Sequence, residues 1–94
     1  MEKFSVLLVE DNEGDIILTK EALESSRYIG QLITQRNGQA AIDYLDNVIS
    51  GNDSVLPDII LLDINLPKKN GQEVLQYIKS HDKLKHLPVL MLTT

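Results

Sequence analysis

Three acidic residues follow two of the most apolar segments of this 94-residue chain. Glu10 and Asp11 come directly after the apolar run Val6 to Val9, and Asp63 comes directly after the run Ile59 to Leu62. If the three carboxylates meet, each pair repels by about 4 kcal/mol at a separation of about 4 Å and an effective dielectric constant near 20. A cluster of this kind therefore indicates a bound cation or a raised pKa.

The chemistry open to such a cluster is that of a divalent cation and a phosphoryl group. Oxygen ligands suit Mg²⁺, whereas Zn²⁺ prefers His and Cys, and the chain contains no Cys. A carboxylate can also accept a phosphoryl group as an aspartyl phosphate while a metal neutralises the transferred oxygens. Asp63 is the best placed for this role, because a strand would hold its backbone rigidly. A single acid at a strand end is more often a turn or helix cap, so the hypothesis depends on all three meeting.

The elements that would position these acids can be predicted from the pattern of apolar residues. Short apolar runs predict strands over Phe4 to Val9, Leu32 to Gln35, Ile59 to Leu62 and Val89 to Leu92. Helical spacing predicts helices over Ile16 to Ser26, Gln39 to Ile49 and Gln72 to Ser80. Asp15 would lie at the N-cap or in the first turn of the first helix, and Leu18, Ala22 and Leu23 would share one face of it.

Alternating strands and helices imply right-handed crossovers and a parallel sheet covered on both faces, which is an α/β doubly wound fold. Ligands bind such sheets beyond the carboxyl ends of the strands. If the first and third strands are neighbours, their acids meet there, with the hydroxyl groups of Thr93 and Thr94 beside them.

Composition and charge restrict the class of partner. The chain carries 9 Lys and Arg against 14 Asp and Glu, a net charge of −5, which disfavours nucleic acid or an anionic membrane as a direct partner. Length and a hydrophobic content of 43% predict one folded domain over residues 1–94. The first apolar run is too short for a signal peptide, and the lack of Cys suits a reducing compartment, so we expect a cytoplasmic protein.

Three segments in order resemble the receiver domain of bacterial two-component response regulators. They are Val6 to Asn12, Ile60 to Pro67 with the following Gly71, and Pro88 to Thr93. Glu10 to Asp15 and Asn65 to Lys69 further resemble the single-domain regulators that accompany phytochrome-type kinases. The resemblance implies a flavodoxin-like sheet with strand order 2-1-3-4.

The resemblance also implies a role for each site residue. Asp63 would accept the phosphoryl group from a phosphohistidine of a sensor histidine kinase. Asp11 and Asp63 would bind Mg²⁺ directly and Glu10 through water, with the backbone carbonyl of Asn65 as a further ligand. Thr93 would donate a hydrogen bond to the phosphoryl group and move toward it, which converts local charge into a change at the surface.

Complete receivers continue with a fourth helix, a fifth strand that carries a Lys for the phosphoryl group, and a fifth helix, whereas this sequence stops at Thr94. We therefore expect the fifth strand and the last two helices to be missing. Loss of the ammonium group removes on the order of 4 kcal/mol of attraction, so the chain should bind Mg²⁺ but switch poorly. Thr94, where the family often has a smaller residue, would narrow access to Asp63.

The strand Val89 to Leu92 would form an exposed apolar edge that favours self-association. Gly71 would relieve the turn before the third helix by adopting unusual dihedral angles.

Two other functions stay open beside that of a non-enzymatic phosphoacceptor. An aspartate-nucleophile phosphohydrolase would also use Mg²⁺ and a strand-end Asp, but it usually has a second acid two residues later, where Asn65 stands. A receiver-like interaction module that no longer switches would fit the missing Lys. Turnover of a phosphate ester tests the first alternative, and the Mg²⁺ dependence of phosphoryl labelling tests the second.

Overall fold

The computed structural model describes residues 3–51 and 55–92. Strands and helices alternate along the chain in the predicted order. The elements are β1 (Phe4–Val9), α1 (Glu13–Glu24), β2 (Ile29–Gln35), α2 (Gly38–Ile49), β3 (Ile59–Asp63), α3 (Gly71–Ser80) and β4 (Val89–Leu92). Within the described ranges, no helix is both long enough and apolar enough to span a membrane.

The four strands form one parallel sheet in the order β2-β1-β3-β4, which confirms the predicted doubly wound, flavodoxin-like fold. β1 and β3 are therefore neighbours, which brings the acids that follow β1 close to the acid at the end of β3. Their register pairs Val9 with Leu62, so Glu10 and Asp63 follow at the same level of the sheet. β1 is buried from Ser5 to Val9, as expected for a strand covered on both faces.

One face of the sheet packs against α2 and α3. Leu7 and Val9 of β1 belong to a buried cluster with residues of both helices, among them Ala41, Leu45, Val74 and Ile78. α2 and α3 bury regularly spaced apolar residues toward the sheet, which is the pattern of amphipathic helices. This packing fixes the positions of the first residues of α2 and α3, which lie beside the loops at the carboxyl edge of the sheet.

The first helix differs from its prediction in its start and in the face that it buries. Asn12 is the N-cap, and its side chain accepts a hydrogen bond from the backbone N–H of Asp15 at 2.9 Å. Asp15 thus lies in the first turn, and the helix begins at Glu13. Ile16 is buried, whereas Leu18 and Ala22, two of the three residues predicted to share one apolar face, are exposed, Leu18 by 66%. Some apolar residues of this helix are consecutive and therefore point in different directions around its axis. Spacing alone could not identify the face that the helix buries.

The remaining bounds shift by a few residues. β2 begins at Ile29, three residues before the predicted start, and β3 includes Asp63 as its last residue. α2 and α3 each begin one residue earlier than predicted, at Gly38 and Gly71. Asparagine side chains cap both helices by accepting hydrogen bonds from backbone N–H groups that would otherwise lack partners.

Candidate functional site

Three carboxylates meet at the carboxyl edge of the sheet. Glu10 and Asp11 follow β1, Asp63 ends the neighbouring β3, and one oxygen from each lies within 4.8 Å of the others. Glu10 and Asp63 are each 2% exposed, whereas Asp11 is exposed. The structure therefore brings together the three acids singled out in the sequence, and the cluster opens to solvent on the side of Asp11.

Backbone N–H groups hold the two buried carboxylates. Oε2 of Glu10 accepts a hydrogen bond from the N–H of Asn12 at 3.2 Å. Oδ1 of Asp63 accepts one from the N–H of Asn65, also at 3.2 Å. Each carboxylate thus accepts a hydrogen bond from the backbone N–H two residues further along the chain. The loop after each strand therefore folds back toward the carboxylate at its start.

The electrostatics of the cluster disfavour three negative charges. Burial raises the pKa of Glu10, and the hydrogen bond and negative charge of Asp63 raise it further, while the N–H of Asn12 lowers it. The ion pairs among the described residues are Arg36 with Glu13, Lys69 with Glu73, and Lys85 with Asp82. None of them includes a carboxylate of the cluster, so no side-chain cation of residues 3–51 and 55–92 compensates its charge.

The donor set fits a hard divalent cation. All donors are carboxylate oxygens, and two of them are buried without a cationic partner in the described part of the chain. Oxygen ligands with room left for water are typical of Mg²⁺ sites. The cation needs the ionised form of Glu10, so the raised pKa of this residue makes cation binding weaken as the pH falls.

Of the other predicted site residues, Asn65 belongs to the described part of the chain, whereas Thr93 and Thr94 do not. Asn65 is exposed and lies two residues beyond Asp63, in the loop that leads to α3. Thr93 and Thr94 lie outside the described residues, so their predicted roles stay predictions. The last described residue of β4, Leu92, pairs with Asp63 across the sheet.

Gly71 is needed for a different reason from the one predicted. Among the described residues, positive φ angles occur at Gly51 and Lys68 and not at Gly71. A Cβ atom at Gly71 would lie 2.4 Å from the carbonyl oxygen of Asp63, well inside van der Waals contact. The missing side chain therefore allows α3 to begin directly against the end of β3, and the N–H of Gly71 donates to the carbonyl of Ile64 at 2.9 Å.

Sequence reasoning missed a second close approach at this edge. Gly38 begins α2 against the β3–α3 loop, which comprises Ile64 to Asn70. The Asn37-Gly38 pair indicated only a break between elements. Nothing in its local sequence identifies the segment that it contacts.

Comparisons with known proteins agree with the fold. The family model for the response regulator receiver domain matches residues 6–94. Response regulator Rcp1 of Synechocystis is 46% identical over 89 residues, which cover 95% of this chain and 60% of that protein.

Two solved structures are closely similar in fold. The phosphorylated cyanobacterial phytochrome response regulator RcpA has a TM-score of 0.89 and 44% identity, covering 98% of this chain and 66% of that one. The Mn²⁺-bound form of response regulator Rcp1 also has a TM-score of 0.89, with 45% identity, covering 97% of this chain and 66% of that one. The chain spans about 60% of the length of the curated relatives that it matches.

Proposed function

Because this chain belongs to the response regulator receiver domain family, we propose that it is a phosphoacceptor of two-component signalling, phosphorylated on Asp63 in a Mg²⁺-dependent reaction. One observation carries the proposal: the buried carboxylate of Asp63 lies within 4.8 Å of two further acids, which directly follow the neighbouring strand, and no side-chain cation in the described ranges forms an ion pair with the three. Glu10, Asp11 and Asp63 would bind the cation, with the backbone carbonyl of Asn65 as a further ligand.

The proposed reaction is a phosphoryl transfer to a carboxylate. An oxygen of Asp63 attacks the phosphorus of a phosphohistidine, a P–O bond forms, and the P–N bond breaks with its electron pair left on the imidazole. The N–H of Asn65 holds Oδ1 of Asp63, which orients the carboxylate for attack. Bound Mg²⁺ would neutralise charge on the oxygens of the transferred group.

A sensor histidine kinase is the proposed phosphoryl donor. The support is the family itself and the similarity to regulators that are named for phytochrome signalling. Since the chain spans only part of the length of its curated relatives, the kinase and the downstream partner are assigned by class alone.

The chain is proposed to accept a phosphoryl group and not to turn over phosphate esters. A phosphohydrolase with an aspartate nucleophile usually has a second acid two residues after that nucleophile, and here that position holds the exposed Asn65. Its backbone N–H already contacts Asp63, so this residue is placed to orient the carboxylate. Sustained release of phosphate from a phosphate ester would favour the hydrolase over the phosphoacceptor.

Incubation of the 94-residue chain with acetyl phosphate tests the proposed function. We expect mass spectrometry to find one added phosphoryl group, located on Asp63, when Mg²⁺ is present. Chelation of the metal should prevent the label, because the charge of the incoming phosphoryl oxygens then adds to three carboxylates without compensation. Labelling that is equally efficient with EDTA, or a label on another residue, would contradict the proposal.

Self-association through β4 is a further expected property. β4 pairs with β3 and, among the strands of the described chain, with no other, and Leu90 is 54% exposed. An apolar edge strand offers free backbone groups to a second copy of the chain. We expect sedimentation to detect dimers at micromolar concentration and Leu90→Lys to shift them toward monomers. A wild-type chain that sediments as a monomer at that concentration would disprove the association.

A further inference from the structure

The junction between β2 and α2 contributes no acid to the cluster, yet it contacts the loop that follows Asp63. The backbone N–H of Gly38 donates to the carbonyl of Pro67 at 3.4 Å. A Cβ atom at Gly38 would lie 1.8 Å from the carbonyl oxygen of Lys69, a distance that no side chain can occupy. The β3–α3 loop can therefore rest on the start of α2 only because residue 38 has no side chain.

We propose that Gly38 is a positioning residue for the cation site: its bare backbone supports Pro67 and Lys69 and so holds the nearby backbone of Asn65 beside Asp63. The inference rests on the proposed function, because it concerns the cation that the acidic cluster would bind. It extends that function to a segment that carries no ligand.

Burial decides which partner would move if the contact were crowded. The first turns of α2 are anchored in the core, since Ala41 and Leu45 are fully buried and Asn37 caps the helix. In the loop, Leu66 is buried in the core, whereas Pro67 and Lys69 are exposed. A side chain at residue 38 would therefore displace the exposed part of the loop, at Pro67 and Lys69, and leave the helix in place.

Displacement of the loop would reach the site over a short length of chain. Only Leu66 separates Asn65 from Pro67, and the N–H of Asn65 is the donor that holds Oδ1 of Asp63. Lys68 has a φ of 66°, a left-handed conformation that residues with side chains rarely adopt. Such a conformation persists only where surrounding contacts impose it, so a loop released from α2 is expected to relax.

The first test replaces Gly38 with Ala and measures Mg²⁺ binding by titration calorimetry. All three carboxylates remain, but the Asn65 backbone shifts, and we expect an affinity about tenfold weaker than that of the wild type. In the acetyl phosphate assay, the half-saturating Mg²⁺ concentration should rise by the same factor, while the rate at saturating Mg²⁺ changes much less. A variant that was less stable but still fully folded would keep the half-saturating Mg²⁺ concentration of the wild type, so circular dichroism without Mg²⁺ must first show that the variant is folded.

Gly51→Ala is the matched control, at the other end of the same helix. Gly51 has a φ of 83°, so Ala there strains the backbone, but its Cβ would meet nothing within 4 Å. The substitution lowers stability without contact to the β3–α3 loop. We expect its Mg²⁺ affinity to stay within about twofold of the wild type, as for a site that does not couple to the cluster.

A second measurement needs no variant, so it tests the positioning role of Gly38 even if Gly38→Ala does not fold. In the wild-type chain, Mg²⁺ titration should shift the amide NMR resonances of Gly38 and Asn65 with one common midpoint and leave that of Gly51 in place. If the wild type responds to Mg²⁺ while the Gly38 amide stays still, or if the variant binds as tightly as the wild type, the positioning role is wrong and the proposed function stands. If no resonance of the wild type responds, the cation site fails, and the positioning role fails with it.

Discussion

Asp63→Asn is expected to abolish phosphoryl labelling and, without metal, to make the chain more stable. The amide has the shape of the carboxyl group and keeps an oxygen for the N–H of Asn65, but it lacks the charged oxygen that attacks phosphorus. It also removes one of two buried negative charges. The carboxylate oxygens of the cluster lie within 4.8 Å of one another. Two like charges about 4.8 Å apart repel by about 3 kcal/mol at an effective dielectric constant near 20.

The raised pKa of Glu10 already relieves part of that repulsion, because burial and the charge of Asp63 favour its protonated form. We therefore expect Asp63→Asn to raise the free energy of unfolding by about 1 to 2 kcal/mol at neutral pH, as measured by urea denaturation with EDTA. Labelling is measured on the same sample by mass spectrometry.

Asp58→Asn is the matched control for this variant. Asp58 directly precedes β3, at the end of the strand opposite Asp63, and its carboxylate accepts a hydrogen bond from the N–H of Ser5. It makes the same chemical change outside the cluster, so labelling should stay normal and stability should not rise. Retained labelling in Asp63→Asn would rule out this residue as the phosphoacceptor.

Mg²⁺ is expected to stabilise the folded chain strongly. A ligand that binds only the native state adds about 2.7 kcal/mol at a concentration one hundred times its dissociation constant. For a domain of this size, that corresponds to a rise of about 10 to 20 °C in the midpoint of thermal unfolding. EDTA should reverse the rise, and NaCl of matched ionic strength should reproduce little of it, since screening acts weakly on buried carboxylates.

Asp11→Asn should reduce this stabilisation, because the variant loses a proposed ligand. If its affinity falls about tenfold, the gain at the same Mg²⁺ concentration falls to about 1.4 kcal/mol. Asp15→Asn is the control: Asp15 is acidic and adds to the pKa shift of Glu10, but it is not one of the three clustered residues. Equal losses in both variants would mean that Mg²⁺ responds to overall negative charge and not to a site.

The strands of this fold follow closely from local sequence. Both bounds of β1 (Phe4–Val9) and β4 (Val89–Leu92) agree with the apolar runs, because parallel strands between layers of helix need apolar residues on both faces. Helix starts were predicted less well. Asn12 and Asn37 cap their helices through side-chain geometry, and sequence spacing did not distinguish the capping residue from its neighbours.

The acidic cluster was predicted in its members but not in its properties. Strand ends pointed to Glu10, Asp11 and Asp63, and the resemblance to receivers supplied the order that makes β1 and β3 neighbours. The burial of two of the acids and the raised pKa of Glu10 depend on what the rest of the chain packs around them. Such quantities belong to the assembled molecule and have no counterpart in a short stretch of residues.

The amino-acid order alone therefore determined the alternation of elements, the residue types at the carboxyl edge and the class of chemistry they can perform, because these depend on local propensity and composition. The tertiary structure alone decided that Gly38 supports the β3–α3 loop, that Gly71 is required by a close approach instead of by its dihedral angles, and that Leu18 faces solvent. Each of these depends on contacts between segments far apart in the chain, and such contacts exist only once the sheet and its helices have packed together.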